Sequence, residues 1–117
     1  MKLSRRLEMV ISFVEKGSRI ADVGTDHGYV TIVLAERGLV DGGVAMDVKE
    51  GPLKRAREHI RQHGLDGVIE VRLSDGVKEL GDEEADTVII AGMGGELVIH
   101  ILEDGRRLWE QVKHWIL

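Results

Sequence analysis

The residues best suited to chemistry fall in four short segments, and the first is Asp22-Val-Gly24-Thr25-Asp26-His27-Gly28-Tyr29. Gly24 and Gly28 give backbone that reaches positive φ or lets a ligand approach closely. Tyr29 opens a predicted helix, and a helix N-terminus suits an anionic or hydrogen-bonding ligand group. The dinucleotide fingerprint G-x-G-x-x-G is not matched, because Asp26 stands where its middle glycine belongs. That speaks against a nicotinamide dinucleotide. Acidic residues here suit a ligand without phosphates, such as a cationic sulfonium with an amino-acid tail. An ordinary tight turn between a strand and a helix is the alternative.

Asp47 lies 19 residues after Gly28, a spacing at which a carboxylate accepts hydrogen bonds from a ribose diol; an isolated aspartate at a strand end also reads as a helix cap. Val48 adjoins it as a further ligand contact. The third segment is Ser74-Asp75-Gly76, where Asp75 either accepts from an adenine amino group or caps the following turn. The fourth is Ala91-Gly92-Met93-Gly94-Gly95. Glycines crowded around Met93 cost backbone entropy, so this segment predicts close approach of a cofactor or substrate rather than a flexible connector.

These segments need elements to hold them. Leu3, Leu7, Val10, Ile11 and Val14 recur at helical spacing and predict a first helix ending at Gly17. Residues 19–24, 43–48, 68–73 and 85–91 read as strands, the third with the alternation of an edge strand. Residues 29–37 read as a helix. Pro52 suits the first turn of another, whose face is Leu53, Ala56, Ile60 and His63. Two closing helices are predicted over 96–102 and 107–116. Strands alternating with helices imply parallel pairing through right-handed crossovers. The predicted class is α/β, a Rossmann-like, doubly wound partial sheet of about four strands. The four segments then lie at strand ends, where such sheets bind ligands.

The 117 residues make one domain at most; 43% are hydrophobic and only 3% aromatic, so aliphatic side chains must build the core. There is no cysteine, which excludes disulfides and thiolate metal sites and fits a reducing, cytoplasmic setting. No apolar run is long enough for a membrane span. His59, His63, His100 and His114 show no metal-ligand spacing, so no metal is expected. The net charge of −5 weighs mildly against nucleic acid, which usually meets a basic face. For RNA the available positive charge is Lys54, Arg55, Arg57 and Arg61, plus Lys2, Arg5 and Arg6 near the start; the helical run is interleaved with Glu50 and Glu58 and reads as a solvated face.

Taken together, the segments resemble those of the bacterial tRNA (adenine(22)-N1)-methyltransferases, often called TrmK. The resemblance rests on Arg6-Leu7, residues 21–29, Ala45 and Asp47 with residues 51–53, Arg72-Leu73 with Asp75-Gly76, and residues 90–95. It implies a class I methyltransferase domain, S-adenosyl-L-methionine as methyl donor and tRNA as substrate. It also implies that Asp22, Gly24, Thr25 and Gly28 line the methionine end of the cofactor and that Asp47 with Val48 holds the ribose. Asp75 and Gly76 would then sit at the adenine. Asp26, His27 and Tyr29 would face the transfer centre as catalytic residues, with Gly92 and Met93 beside the cofactor and Gly92, Met93 and Gly94 shaping the target-base pocket. Tyr29 reads as a stacking platform or as core packing; His27 reads as a partner of the base or as a structural hydrogen-bonder.

Family members are about twice this length, so residues 1–117 are expected to be a single, partial methyltransferase domain. Two other functions stay open: a methyltransferase of a different substrate, and a non-catalytic cofactor-binding or interaction module. The fourth strand, with Val88 to Ala91 lacking a further neighbour, predicts an open edge and self-association through it.

Overall fold

The computed structural model describes residues 2–117. Its elements run α1 (Arg5–Ser12), β1 (Ser18–Val23), α2 (Tyr29–Glu36), β2 (Val40–Asp47), α3 (Glu50–Gln62), β3 (Ile69–Leu73), β4 (Thr87–Ile90), α4 (Gly95–Asp104), a 3-10 turn (Arg106–Leu108) and β5 (His114–Ile116). The five strands form one sheet in the order β3-β2-β1-β4-β5, and every pairing is parallel. This is the Rossmann-like α/β class, with β3 at one edge as its alternating sequence suggested.

The sheet is buried on both faces, which is why its central strands are nearly continuous apolar runs. Successive side chains point to opposite faces. Ile20 of β1 and Ile89 of β4 pack with Leu3, Ile11, Val30, Val33 and Leu34, so α1 and α2 cover that face. Ala45 and Ile69 carry the same face across to Ile32, Ala56 and Ile60, seating α3. Ala21, Val23, Val44, Met46, Val88 and Ile90 point the other way, against Val77, Leu80, Ile101, Leu108 and Val112.

Chain order reverses about β1. From β1 the chain moves to β2 and β3 on one side, then returns to β4 and β5 on the other. The connections leaving β1 and β4 therefore diverge and open a crevice at the carboxyl ends of the strands.

Two sequence expectations need correction. Residues 107–116 are not a closing helix. Leu108, Val112 and Ile116 recur every four residues and imitate a helical face, but Leu108 and Val112 enter the core from turns while Ile116 enters from a strand. That strand, β5, pairs Thr87 with His114, Val88 with Trp115 and Ile89 with Ile116. The sheet thus has five strands rather than about four, and the expected open edge over Val88 to Ala91 is covered as far as Ile89. Self-association through that edge loses the basis given for it. In addition, α1 ends at Ser12, short of Gly17, although Val14 still packs in the core. His63 is exposed and bonds Glu36 rather than joining Leu53, Ala56 and Ile60. No helix among the described residues is long and apolar enough to cross a membrane.

Candidate active site at the strand ends

A cavity of about 390 Å³ opens at the carboxyl ends of β1, β2 and β4. From β1 and its loop it takes Asp22, Gly24, Thr25, Asp26 and His27; Tyr29 and Val30 of α2, Asp47 of β2 and Ala91, Gly92 and Met93 after β4 complete most of the wall.

The β1 loop is held open by its backbone. Gly24 has φ +73°, and a Cβ there would collide with the Met93 methyl group. The two loops thus meet where the tip of the Met93 side chain fills the space that a Cβ of residue 24 would take. Asp26 adopts φ 56°, a left-handed conformation that aspartate tolerates better than most residues. Two contacts stabilise it: its amide donates to Asp47 Oδ2 at 3.2 Å, and its carboxylate accepts from Arg55 Nη2 at 3.3 Å. Asp47 Oδ1 accepts from the Lys49 amide at 3.2 Å. Asp47 is thus a tie between two loops, and it also lines the cavity.

Asp22 is buried. Burial pushes its carboxyl up from 3.8 to about 7; the Thr25 side chain opposes the shift and the Asp47 charge adds to it. Thr25 Oγ1, though near Asp22, is not in hydrogen-bond geometry with any group. It and His27 Nδ1 are buried side-chain polar atoms without partners among the described residues. A buried polar atom left unpaired costs roughly 1–3 kcal/mol, and a polar ligand in the cavity would relieve that cost.

The rings of His27, Tyr29 and His59 form a triangle of nearly parallel planes. Centroid distances are 5.0 Å for His27–Tyr29 and 5.3 Å for Tyr29–His59. His59 Nδ1 also lies 2.9 Å from the His27 carbonyl oxygen, and His27 Nε2 lies 3.6 Å from Asp26 Oδ2. Tyr29 therefore already packs against two histidines from its own loop and from α3.

Four sequence candidates do not line this cavity. Gly28 has φ +78°, and its missing Cβ faces Ala56 of α3 at 3.3 Å, which lets α3 pack closely at the start of α2. Gly76 likewise makes room for Ile101, 3.1 Å from its ideal Cβ. Asp75 is exposed and pairs with Lys78 at 3.1 Å. Val48 is 59% exposed, just outside the wall. The loop of Asp75 nonetheless adjoins the site, since the Ser74 amide donates to the Asp47 carbonyl at 2.9 Å. The sequence reading missed Arg6 and Leu7 as cavity residues and His59 as a support. Arg6-Leu7 was visible only as part of the family pattern; His59 carried no signal, because its position depends on how α3 docks. Among the described residues no cluster of three or more His, Asp or Glu side chains could hold a metal.

Comparison with known proteins agrees with this architecture. The tRNA (adenine(22)-N(1))-methyltransferase of Bacillus subtilis (strain 168) is 38% identical over 106 residues, covering 91% of this chain and 44% of the relative. A ribosomal protein L11 methyltransferase of Syntrophomonas wolfei is 29% identical, covering 87% of this chain and 33% of the relative. The structure of M. capricolum TrmK in complex with S-adenosyl-homocysteine superposes with a TM-score of 0.84 at 33% identity, covering 89% of this chain and 47% of that one. The chain spans less than half the length of the curated relatives it matches. A family model described as a methyltransferase domain matches residues 3–117, and the chain belongs to that family.

Proposed function

We propose that this chain binds S-adenosyl-L-methionine and transfers its methyl group to N1 of an adenine in tRNA. The observation that carries the reading is the cavity where Asp22, Asp26 and Asp47 converge with Gly24 and Gly92. It offers carboxylates to a cationic ligand and glycine backbone to a close-fitting one. The residues present fit such a ligand: Asp47 has free lone pairs for a ribose diol, Asp22 suits an ammonium group, and Thr25 Oγ1 and His27 Nδ1 are polar atoms without a partner. Val48, exposed beside Asp47, and the loop of Asp75 and Gly76 are assigned to the adenine end. Gly28 supports the loop from behind.

When bound, S-adenosylmethionine supplies an electrophilic methyl group on a sulfonium. Adenine N1 carries a neutral lone pair, so this chain needs no strong base to begin the reaction. What it must supply is alignment and carboxylates near the moving positive charge. N1 is on the Watson–Crick edge, so a paired or stacked base has to be exposed first. Tyr29 and His27, at the rim of the cavity, are the residues assigned to hold it, and Asp26 is assigned to orient His27. Gly92 and Met93 would shape the base pocket. Acting on tRNA, the protein would work in the cytoplasm.

The substrate assignment rests on the likeness to the B. subtilis and M. capricolum proteins. The test is incubation of the chain with tRNA and methyl-labelled S-adenosylmethionine, followed by primer extension, which stops at N1-methyladenine. Label in tRNA with such a stop supports the reading. Label in ribosomal protein L11 but not in tRNA would favour the second reading, a protein methyltransferase, for which the S. wolfei relative is the specific observation.

Self-association is also proposed, now at β5 rather than β4. Its support is the exposed apolar side chains of Met9 and Phe13 beside β5. Sedimentation over a range of concentrations tests it, and a concentration-independent monomer contradicts it.

A further inference from the structure

His59 of α3 stands behind the cavity wall rather than on it, yet it packs against two residues that do line the cavity, His27 and Tyr29. Its ring centroid is 5.7 Å from that of His27 and 5.3 Å from that of Tyr29. Its Nδ1 lies 2.9 Å from the His27 carbonyl oxygen. A carbonyl oxygen only accepts, so Nδ1 carries the proton and donates. In the neutral ring this leaves Nε2 without a proton.

The docking of α3 sets this contact. Leu53, Ala56 and Ile60 bury one face of the helix, and Ala56 fills the space beside Gly28. His59 is an i+3 neighbour of Ala56 and lies on the same side of the helix, so it reaches the loop that Gly28 ends. A side chain at residue 28 would push α3 back and lift His59 from the His27 carbonyl. The other tie between α3 and this loop is Arg55, whose Nη2 donates to Asp26 Oδ1 at 3.3 Å. Those side chains are 50% and 61% exposed, and water screens such a pair. The half-buried His59 bond is the firmer link. His27 itself is held loosely: its Nδ1 has no partner among the described residues, and its Nε2 is 3.6 Å from Asp26 Oδ2, beyond hydrogen-bond length.

We propose that His59 is a positioning residue for the transfer step: through the His27 carbonyl it holds His27 and Tyr29 ready for the acceptor base, touching neither base nor cofactor. This inference rests on the methyl-transfer reading above. A base that stacks at the rim needs those rings fixed before it arrives, because misalignment costs rate. Asp22 and Asp47, assigned to the cofactor, lie on β1 and β2 and are held by the sheet. Loss of the His59 bond therefore acts on transfer and leaves cofactor binding in place.

The experiment compares the wild-type chain with His59→Phe, which keeps a ring and loses the donor, and His59→Asn, which loses the ring and keeps a donor near the Nδ1 position. Calorimetry reads affinity for S-adenosylhomocysteine, and single-turnover kinetics reads methyl transfer to tRNA, each at a temperature where every variant is folded. Nitrogen-15 spectra of the wild type read which ring nitrogen of His59 carries the proton. The expected result is a proton on Nδ1 and transfer slowed about 3- to 10-fold in His59→Phe, the range for a lost hydrogen bond. His59→Asn should stay within about twofold of the wild-type rate, and cofactor affinity should change by less than about twofold in both. A neutral ring protonated at Nε2 overturns the inference. So does an unchanged rate in His59→Phe, or a rate in His59→Asn as low as in His59→Phe. Equal loss of affinity and rate would make His59 a support of the whole loop, and overturns it too. A wild-type chain that binds no cofactor or methylates no tRNA overturns the methyl-transfer reading itself, and this inference with it.

Discussion

The Asp26 amide donates to Asp47 Oδ2 at 3.2 Å, so the loop after β1 is tied to the last residue of β2 by the carboxylate assigned to the ribose. One side chain then has two tasks, positioning a loop and binding a ligand. Asp47→Ala should remove both, and Asp47→Asn should keep part of the first. The expected loss in S-adenosylmethionine affinity is about 100-fold or more for alanine, with about 1–2 kcal/mol of stability. Calorimetry and denaturant unfolding measure the two effects separately.

Gly24 and Met93 make a second testable pair. Gly24→Ala would place an L side chain at positive φ and against the Met93 methyl, for an expected cost of about 2–3 kcal/mol. Met93→Ala should remove the collision but not the backbone strain. The double variant is therefore expected to be about 1 kcal/mol more stable than the two single costs added together. Simple additivity in urea unfolding would show that the loops do not meet there.

Asp22 gives a pH dependence with a defined sign. Its carboxyl is raised from 3.8 to about 7, chiefly by burial, so the folded state holds the proton more tightly than the unfolded chain. Its contribution to stability is full below 3.8 and is lost as pH rises through about 7. At about 1.36 kcal/mol per unit, Asp22→Asn should stabilise the chain by roughly 4 kcal/mol above that range and hardly at all at low pH. Thermal unfolding across the range checks this. A ligand ammonium favours the ionised form, so wild-type affinity for S-adenosylmethionine should rise about tenfold between about pH 5.5 and 7. The Asn variant should lack that rise.

Tyr29 is predicted to act on the target base more than on the cofactor. Tyr29→Ala should slow methyl transfer to tRNA by about 10-fold or more, the scale of a lost base–aromatic stack, while changing S-adenosylmethionine affinity by less than about threefold. Tyr29→Phe keeps the ring and should retain most of the activity. A loss confined to cofactor affinity would instead assign the ring to packing between His27 and His59.

Much of the cavity lining was legible because its signals are local. Gly24, Asp26 and Gly28 are a turn whose left-handed conformations follow from residue type, and Asp47 sits at a spacing set by one helix and one strand. What depended on docking was not legible. That the missing Cβ atoms of Gly28 and Gly76 face Ala56 and Ile101, neighbours far away in sequence, could not be read beforehand. The same cause hid β5: Leu108, Val112 and Ile116 have a helical period, and only the vacant side of β4 makes a strand of 114–116. Arg6 was legible only as part of a family pattern and as basic charge beside Arg5; its place on the cavity wall depends on how α1 docks.

The central claim is that the cavity around Asp22, Gly24 and Asp47 is an S-adenosylmethionine site. Calorimetric titration of that ligand into the wild-type chain and Asp47→Ala tests it most directly. The account predicts saturable one-to-one binding by the wild type, lost in the folded variant. No binding by the folded wild-type chain, or equal affinity in both, would contradict it.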